Sequence, residues 1–124
     1  IHFINKLLDS NFQILVLTNI PFKYLEDRKH CFQKNGLNLQ IIAGNGPKGL
    51  VIKELIRDFN EKVFFIDDLA PHISSVKEEV SRSKTIHYIS DERLSKLAVS
   101  PKEADFRAYS WKDIYNFLIN EVSG

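Results

Sequence analysis

Two adjacent carboxylates, Asp67 and Asp68, close the apolar run Val63-Phe64-Phe65-Ile66 and lead into Leu69-Ala70-Pro71. Side by side, such groups repel each other unless a proton or a cation sits between them. Mg²⁺, held by one or two carboxylates plus a substrate phosphate, is the natural partner of the pair. Two more side chains stand at comparable places. Thr18, followed by Asn19, ends the run Phe12 to Leu17 and offers a hydroxyl, while Lys48 follows the run Leu39 to Ala43 and offers a fixed positive charge. Together they could bind a phosphate and its Mg²⁺, with the hydroxyl and ammonium on the oxygens and the cation neutralising developing charge. Each residue alone has a plainer account: Asp67 capping a turn, Asp68 opening a helix beside Pro71, a structural threonine, a solvated lysine.

These residues can meet only if the elements that carry them are parallel strands. Val63 to Ile66 and Phe12 to Leu17 read as strands buried on both faces, the pattern of a parallel sheet covered by helices. Ligands bind at the C-terminal ends of such strands. The remaining pattern alternates with them. Residues 1 to about 9 have apolar side chains at helical spacing until Asp9-Ser10-Asn11; Pro21 opens a helix that Asn35-Gly36 stops. Leu39 to Ala43 reads as a strand, Leu50 to Phe59 as a helix, Pro71 to Ser81 as a helix and Thr85 to Ile89 as a strand. Asp91 is placed to cap a short helix, Phe106 to Tyr109 reads as a short strand, and Ser110 with Asp113 resembles a capping box opening a helix through Val122. Uninterrupted alternation predicts an α/β fold with a mostly parallel sheet and right-handed crossovers.

At 124 residues the chain suits one domain, 1–124, with a real core. A net charge of +1 gives no electrostatic case for nucleic acid or a membrane surface. No apolar run approaches the roughly 18 residues of a membrane span and no signal-peptide pattern opens the chain, so a cytoplasmic protein is expected. The lone cysteine, Cys31, excludes an internal disulfide, and its place in a helical pattern predicts a small buried apolar side chain. His2, His30 and His87 read as ordinary, and His72, soon after the aspartates, as a solvated residue near a helix start. The chain has no methionine, so it is expected not to begin at a translation start.

The loop Gly44-Asn45-Gly46-Pro47-Lys48-Gly49 admits a second reading. Its glycines satisfy G-x-G-x-x-G between a strand and a helix, with Asp67 at roughly the 20-residue distance of a ribose-binding acid, which would make this a dinucleotide-binding domain. Pro47 removes a backbone donor from the middle of that loop, and neither Lys48 nor Asp68 belongs to that design.

Taken in order, Leu15-Val16-Leu17-Thr18-Asn19, Gly46-Pro47-Lys48-Gly49 and Phe64-Phe65-Ile66-Asp67-Asp68 resemble the haloacid dehalogenase superfamily, most of whose members are phosphatases. The resemblance covers nearly the whole chain and implies a Rossmann-like three-layer sandwich without a cap domain. It implies that Thr18, with Asn19 beside it, binds the transferring phosphoryl group as a catalytic and substrate-binding residue. Lys48 would stabilise nucleophile and phosphate, and Asp67 and Asp68 would hold Mg²⁺. The substrate would be a small phosphorylated molecule, not a nucleic acid or a membrane.

One motif of the family is missing. Its first strand ends in Asp-x-Asp, which supplies the nucleophile and the general acid, and no Asp-x-Asp occurs in these 124 residues. Covalent phosphoryl transfer then has no starting point, so the chain is expected to be inactive by itself. In the family's sheet that strand lies between the strands ending at Thr18 and Asp67. Three outcomes follow: those strands close on each other, another copy lends a strand in a homo-oligomer, or the first strand belongs to a segment preceding Ile1. The absent methionine favours the third. The function classes are therefore most of a Mg²⁺-dependent phosphatase-like hydrolase, a non-catalytic phosphate- and metal-binding module, or the dinucleotide-binding domain.

Overall fold

The computed structural model describes residues 2–18, 24–34, 36, 39–43 and 48–123, leaving aside the side chains of Thr18, Phe32 and Ala43. The chain divides into two compact units, Ile1–Gly46 and Pro47–Gly124. Both are α/β with parallel strands, as the alternating pattern requires.

In the first unit, helix α1 (His2–Asp9) buries Leu7. It ends where Asn11 takes a positive φ of 69°. Phe12 N–H donates to the Leu7 carbonyl at 3.1 Å and Asn11 N–H to Leu8 at 3.2 Å. This left-handed cap satisfies the last carbonyls of the helix, with asparagine in the role glycine usually takes. Strand β1 (Leu15–Thr18) pairs in parallel with β2 (Gln40–Ala43), Leu15 opposite Gln40 and Thr18 opposite Ala43. Both strands are shorter than the apolar runs that announced them, and Leu15 is exposed rather than buried on both faces. Helix α2 (Leu25–Lys34) has Glu26 and Asp27 in its first turn and Lys34 in its last, matching the helix dipole. Gly36, at φ +79°, provides the expected stop. Pro21, the expected start, lies outside the described residues.

Cys31 corrects the sequence reading. It is exposed, because α2 is polar on most of its surface and turns this position outward.

The second unit holds α3 (Lys48–Leu55), β3 (Phe64–Asp67), α4 (Ala70–Glu79), β4 (Lys84–Tyr88), α5 (Glu92–Leu97), β5 (Phe106–Ala108) and α6 (Trp111–Ser123). Its sheet is all parallel in the order β3-β4-β5. The middle place belongs to β4, where Thr85, Ile86 and His87 are consecutively buried. Phe65, Ile73 and Val76 form a core with Ile52 and Ala104 packed against it. Ile114 and Leu118 turn the apolar face of α6 inward, and Phe117 stacks on Phe106 at 4.4 Å between ring centroids. The N-terminus of α6 is tied as expected: Asp113 N–H donates to Ser110 Oγ at 3.1 Å. The return bond comes one residue early, from Tyr109 N–H to Asp113 Oδ2 at 2.9 Å. Asp91 caps α5 by accepting from Arg93 and Leu94 N–H.

A polar clamp fixes β4 at its start. Asp105 Oδ2 accepts from Lys77 Nζ at 2.9 Å and from Thr85 N–H at 2.8 Å, while Thr85 Oγ1 donates to the Glu103 carbonyl at 2.7 Å. Burial pushes the Asp105 carboxyl up, but the Lys77 and Thr85 hydrogen bonds and the Lys77 and Lys84 charges outweigh it and hold the group below its ordinary value. A carboxyl lowered by folding stabilises the protein above its unfolded value, and that contribution disappears as pH falls through the folded one. Asp105→Ala should therefore cost about 2 kcal/mol at neutral pH by leaving Thr85 N–H without its acceptor and Lys77, which keeps the Ser83 carbonyl, without its counter-charge. The loss should shrink on acidification, which thermal melts across the acid range would read.

Candidate functional site

Within the second unit the structure brings Lys48, Asp67 and Asp68 together at the C-terminal end of β3. Asp67 is the last residue of the strand and Asp68 opens the turn into α4. Lys48 is the first residue of α3, so the helix begins earlier than the apolar period from Leu50 indicated. Its Nζ donates to Asp67 Oδ2 at 2.8 Å. The pair is largely desolvated, with side-chain exposures of 13% for Lys48 and 6% for Asp67. The other oxygen, Oδ1, accepts from Leu69 N–H at 2.9 Å. Asp67 thus also performs the turn-capping role that the plainer account gave it.

What carries Lys48 to this place is the next residue. Gly49 lies against α4: its N–H donates to Ser75 Oγ at 3.0 Å, and a Cβ built on it would stand 2.2 Å from the Ser75 carbonyl oxygen. Only a residue without a side chain lets α3 approach α4 so closely. The glycine that completed the dinucleotide-like spacing has a helix-packing reason of its own.

The two carboxylates titrate in opposite directions. Burial pushes Asp67 up, but hydrogen bonds from Lys48 and Leu69 and the Lys48 charge prevail and hold it below the usual carboxylate value. Asp68 is raised, first by burial and then by the hydrogen bonding and charge of Asp67. The result is one anchored anion and, next to it, an anion under repulsion, which an added cation relieves.

Mg²⁺ fits this donor set. It needs only one or two protein carboxylates, completing its octahedron with water and substrate oxygens. Asp68 is exposed. Asp67 Oδ2 accepts from Lys48 Nζ and Oδ1 from Leu69 N–H, and a carboxylate oxygen can take more than one partner. Among the described residues no group of three or more His, Cys, Asp or Glu is arranged to hold a metal, so a site here would rest on the two aspartates.

Thr18 ends β1 in the first unit, and its side chain lies outside the described residues, as do Asn19 and the loop residues Gly44, Gly46 and Pro47. His87, which the sequence reading took as ordinary, and Arg107, which it did not single out, stand beside Asp67 in the sheet register. Asp67 is opposite His87, and His87 is opposite Arg107, forming one rung across three strands. His87 is 2% exposed, and its Nε2 lies 3.0 Å from the Asp68 carbonyl oxygen. The available signal was a histidine near the end of a strand, Lys84 to Tyr88, that places three successive side chains in the interior.

No helix among the described residues is long and apolar enough to cross a membrane. Comparison with protein-family models, with curated proteins and with solved structures finds no match to this chain.

Proposed function

We propose that this chain binds a divalent cation, Mg²⁺, together with the phosphate of a small molecule, through Lys48, Asp67 and Asp68, as a haloacid dehalogenase-like α/β core. The observation that carries the reading is the desolvated Lys48–Asp67 ion pair with Asp68 beside it at a parallel strand's C-terminal end. Lys48 supplies positive charge for phosphate oxygens, and the carboxylates supply hard anionic oxygen for the cation. By the same resemblance Thr18, at the end of β1 in the first unit, would offer its hydroxyl to phosphate, and the layers would be those of a Rossmann-like sandwich. Among the described residues β3 lies at the edge of its sheet, which supports a core in which a further strand belongs beside it.

Because the chain has no Asp-x-Asp, we assign it binding without covalent phosphoryl transfer of its own. One feature favours this over a dinucleotide site: Gly49 N–H is spent on Ser75, which leaves a pyrophosphate one donor fewer.

Calorimetry tests the assignment with Mg²⁺ and inorganic phosphate as probes. Wild type should bind Mg²⁺ saturably, and more tightly with phosphate present. Asp68→Ala should weaken Mg²⁺ binding by about tenfold or more, since a charged ligand is lost. Equal Mg²⁺ affinity in Asp68→Ala and wild type, or heat with NAD and none with Mg²⁺, would overturn it.

A further inference from the structure

We infer that His87 is a positioning residue for the cation site, latching the Asp67–Asp68 turn through the Asp68 carbonyl. This inference rests on the proposed function for what the turn binds, and on separate geometry for the latch.

The hydrogen bonds determine which ring nitrogen carries the proton. Arg107 is a donor with no acceptor capacity. Its guanidinium NH1 lies 3.4 Å from His87 Nδ1 and donates to Ser100 Oγ at 3.1 Å. Ser100 Oγ is itself 2.7 Å from Nδ1. Nδ1 faces a guanidinium N–H, which can only donate, and a hydroxyl that already accepts from Arg107; both favour a bare Nδ1 that takes the hydroxyl proton. Nε2 therefore holds the hydrogen and donates it to the Asp68 carbonyl at 3.0 Å. An unprotonated Nε2 would set a lone pair against a carbonyl oxygen, so the tautomer and the latch are one fact.

Arg107 is fixed in turn by structure that does not depend on the aspartates. Its NH2 donates to the Ser95 carbonyl and to Ser95 Oγ, both at 2.9 Å, and its guanidinium lies over Tyr109 with the carbon 5.0 Å from the ring centroid. A rigid chain thus runs from α5 through Arg107, Ser100 and His87 to the turn that presents both carboxylates. Second-layer partners of this kind orient metal-binding groups, and their loss commonly weakens metal binding by about tenfold or more.

The test uses the full 124-residue chain, isotope-labelled for NMR. At neutral pH, wild-type His87 should be protonated at Nε2 and bare at Nδ1. His87→Asn, whose amide reaches only the Nδ1 position, should speed amide exchange at Leu69 and weaken Mg²⁺ binding by about tenfold. His87→Gln, whose amide reaches the Nε2 position, should restore both, which a merely structural loss would not do. If both substitutions unfold the chain, Ser100→Ala, which withdraws the donor to Nδ1 together with one acceptor of Arg107, should still raise the Nδ1-protonated fraction and Leu69 exchange. An Nδ1-protonated ring in wild type, unchanged Leu69 exchange in His87→Asn, or failure of His87→Gln to rescue overturns the latch. If wild type shows no Mg²⁺ binding while Leu69 exchange responds as stated, the cation reading falls and the latch stands.

Discussion

Replacing Lys48 with methionine should lower stability by about 3 kcal/mol at neutral pH, because it leaves the Asp67 carboxylate buried without its counter-charge. Methionine preserves the length and most of the volume of the stem, so the loss reports charge rather than packing. Asp67 is the more desolvated partner, at 6% exposure against 13% for Lys48, and removing the ammonium takes away both its hydrogen bond and its charge. Burial, which already pushes this carboxyl up, is then opposed only by the hydrogen bonds of Leu69 N–H and Asp68.

The pH dependence should change with it. In wild type the lowered Asp67 stabilises above the unfolded carboxylate value and loses that contribution as pH falls through the folded one. In Lys48→Met the folded value rises, so the cost of the substitution is largest at neutral pH and shrinks as acid protonates the group. Denaturant melts of both proteins in metal-free buffer, from neutral pH down through the carboxylate range, should show two curves converging toward acid. Parallel curves would mean that the pair contributes no charge-specific stability.

The second large effect is steric. Gly49→Ala should cost about 2 kcal/mol net, although alanine is the better helix former by about 1 kcal/mol. The new methyl would sit 2.2 Å from the Ser75 carbonyl oxygen and 2.7 Å from its carbon, atoms of a helix backbone that cannot rotate away. Overpacking of this kind costs about 1–3 kcal/mol and separates the two helices. Since α3 carries Lys48, separation also lengthens the Lys48–Asp67 contact, so the Asp67 carboxyl should rise in the same variant. Ser75→Ala should not rescue it, because the closest atom belongs to the main chain and not to the hydroxyl. Denaturant midpoints of Gly49→Ala and the double variant decide this; recovery in the double variant would locate the clash in the side chain instead.

Much of the architecture could be read from periodicity. The parallel strands, the Asn11 and Gly36 helix stops, the Asp91 cap and the Ser110–Asp113 start all follow local rules that the three-dimensional context leaves intact. The errors occur where one residue serves a distant partner. Helix α3 starts at Lys48 rather than at Leu50, because Gly49, a poor helix former, gains its place by packing on Ser75. Cys31 points outward although a short helical pattern cannot say which face has a neighbour. Asp67 and Asp68 were visible as a pair, but the ion pair to Lys48 was not, since a separation of 19 residues carries no local signal. His87 was read as ordinary for a related reason: its burial is compensated by Ser100, Arg107 and the Asp68 carbonyl, three partners from other parts of the chain. Thr18 was read as a phosphate ligand from its place at the end of a strand; the structure shows that place and no more.

The measurement that tests the account most directly is paramagnetic. Mn²⁺, which prefers the same oxygen ligands as Mg²⁺, broadens the amide signals nearest to it. Titrated below equivalence into the isotope-labelled chain, it should erase Asp67, Asp68 and Leu69 first and Gly49 with them. Excess Mg²⁺ should restore all four. Broadening that begins instead at Glu78 and Glu79, or at Asp91 and Glu92, while Asp68 stays sharp, would contradict the claim that the end of β3 is the cation site.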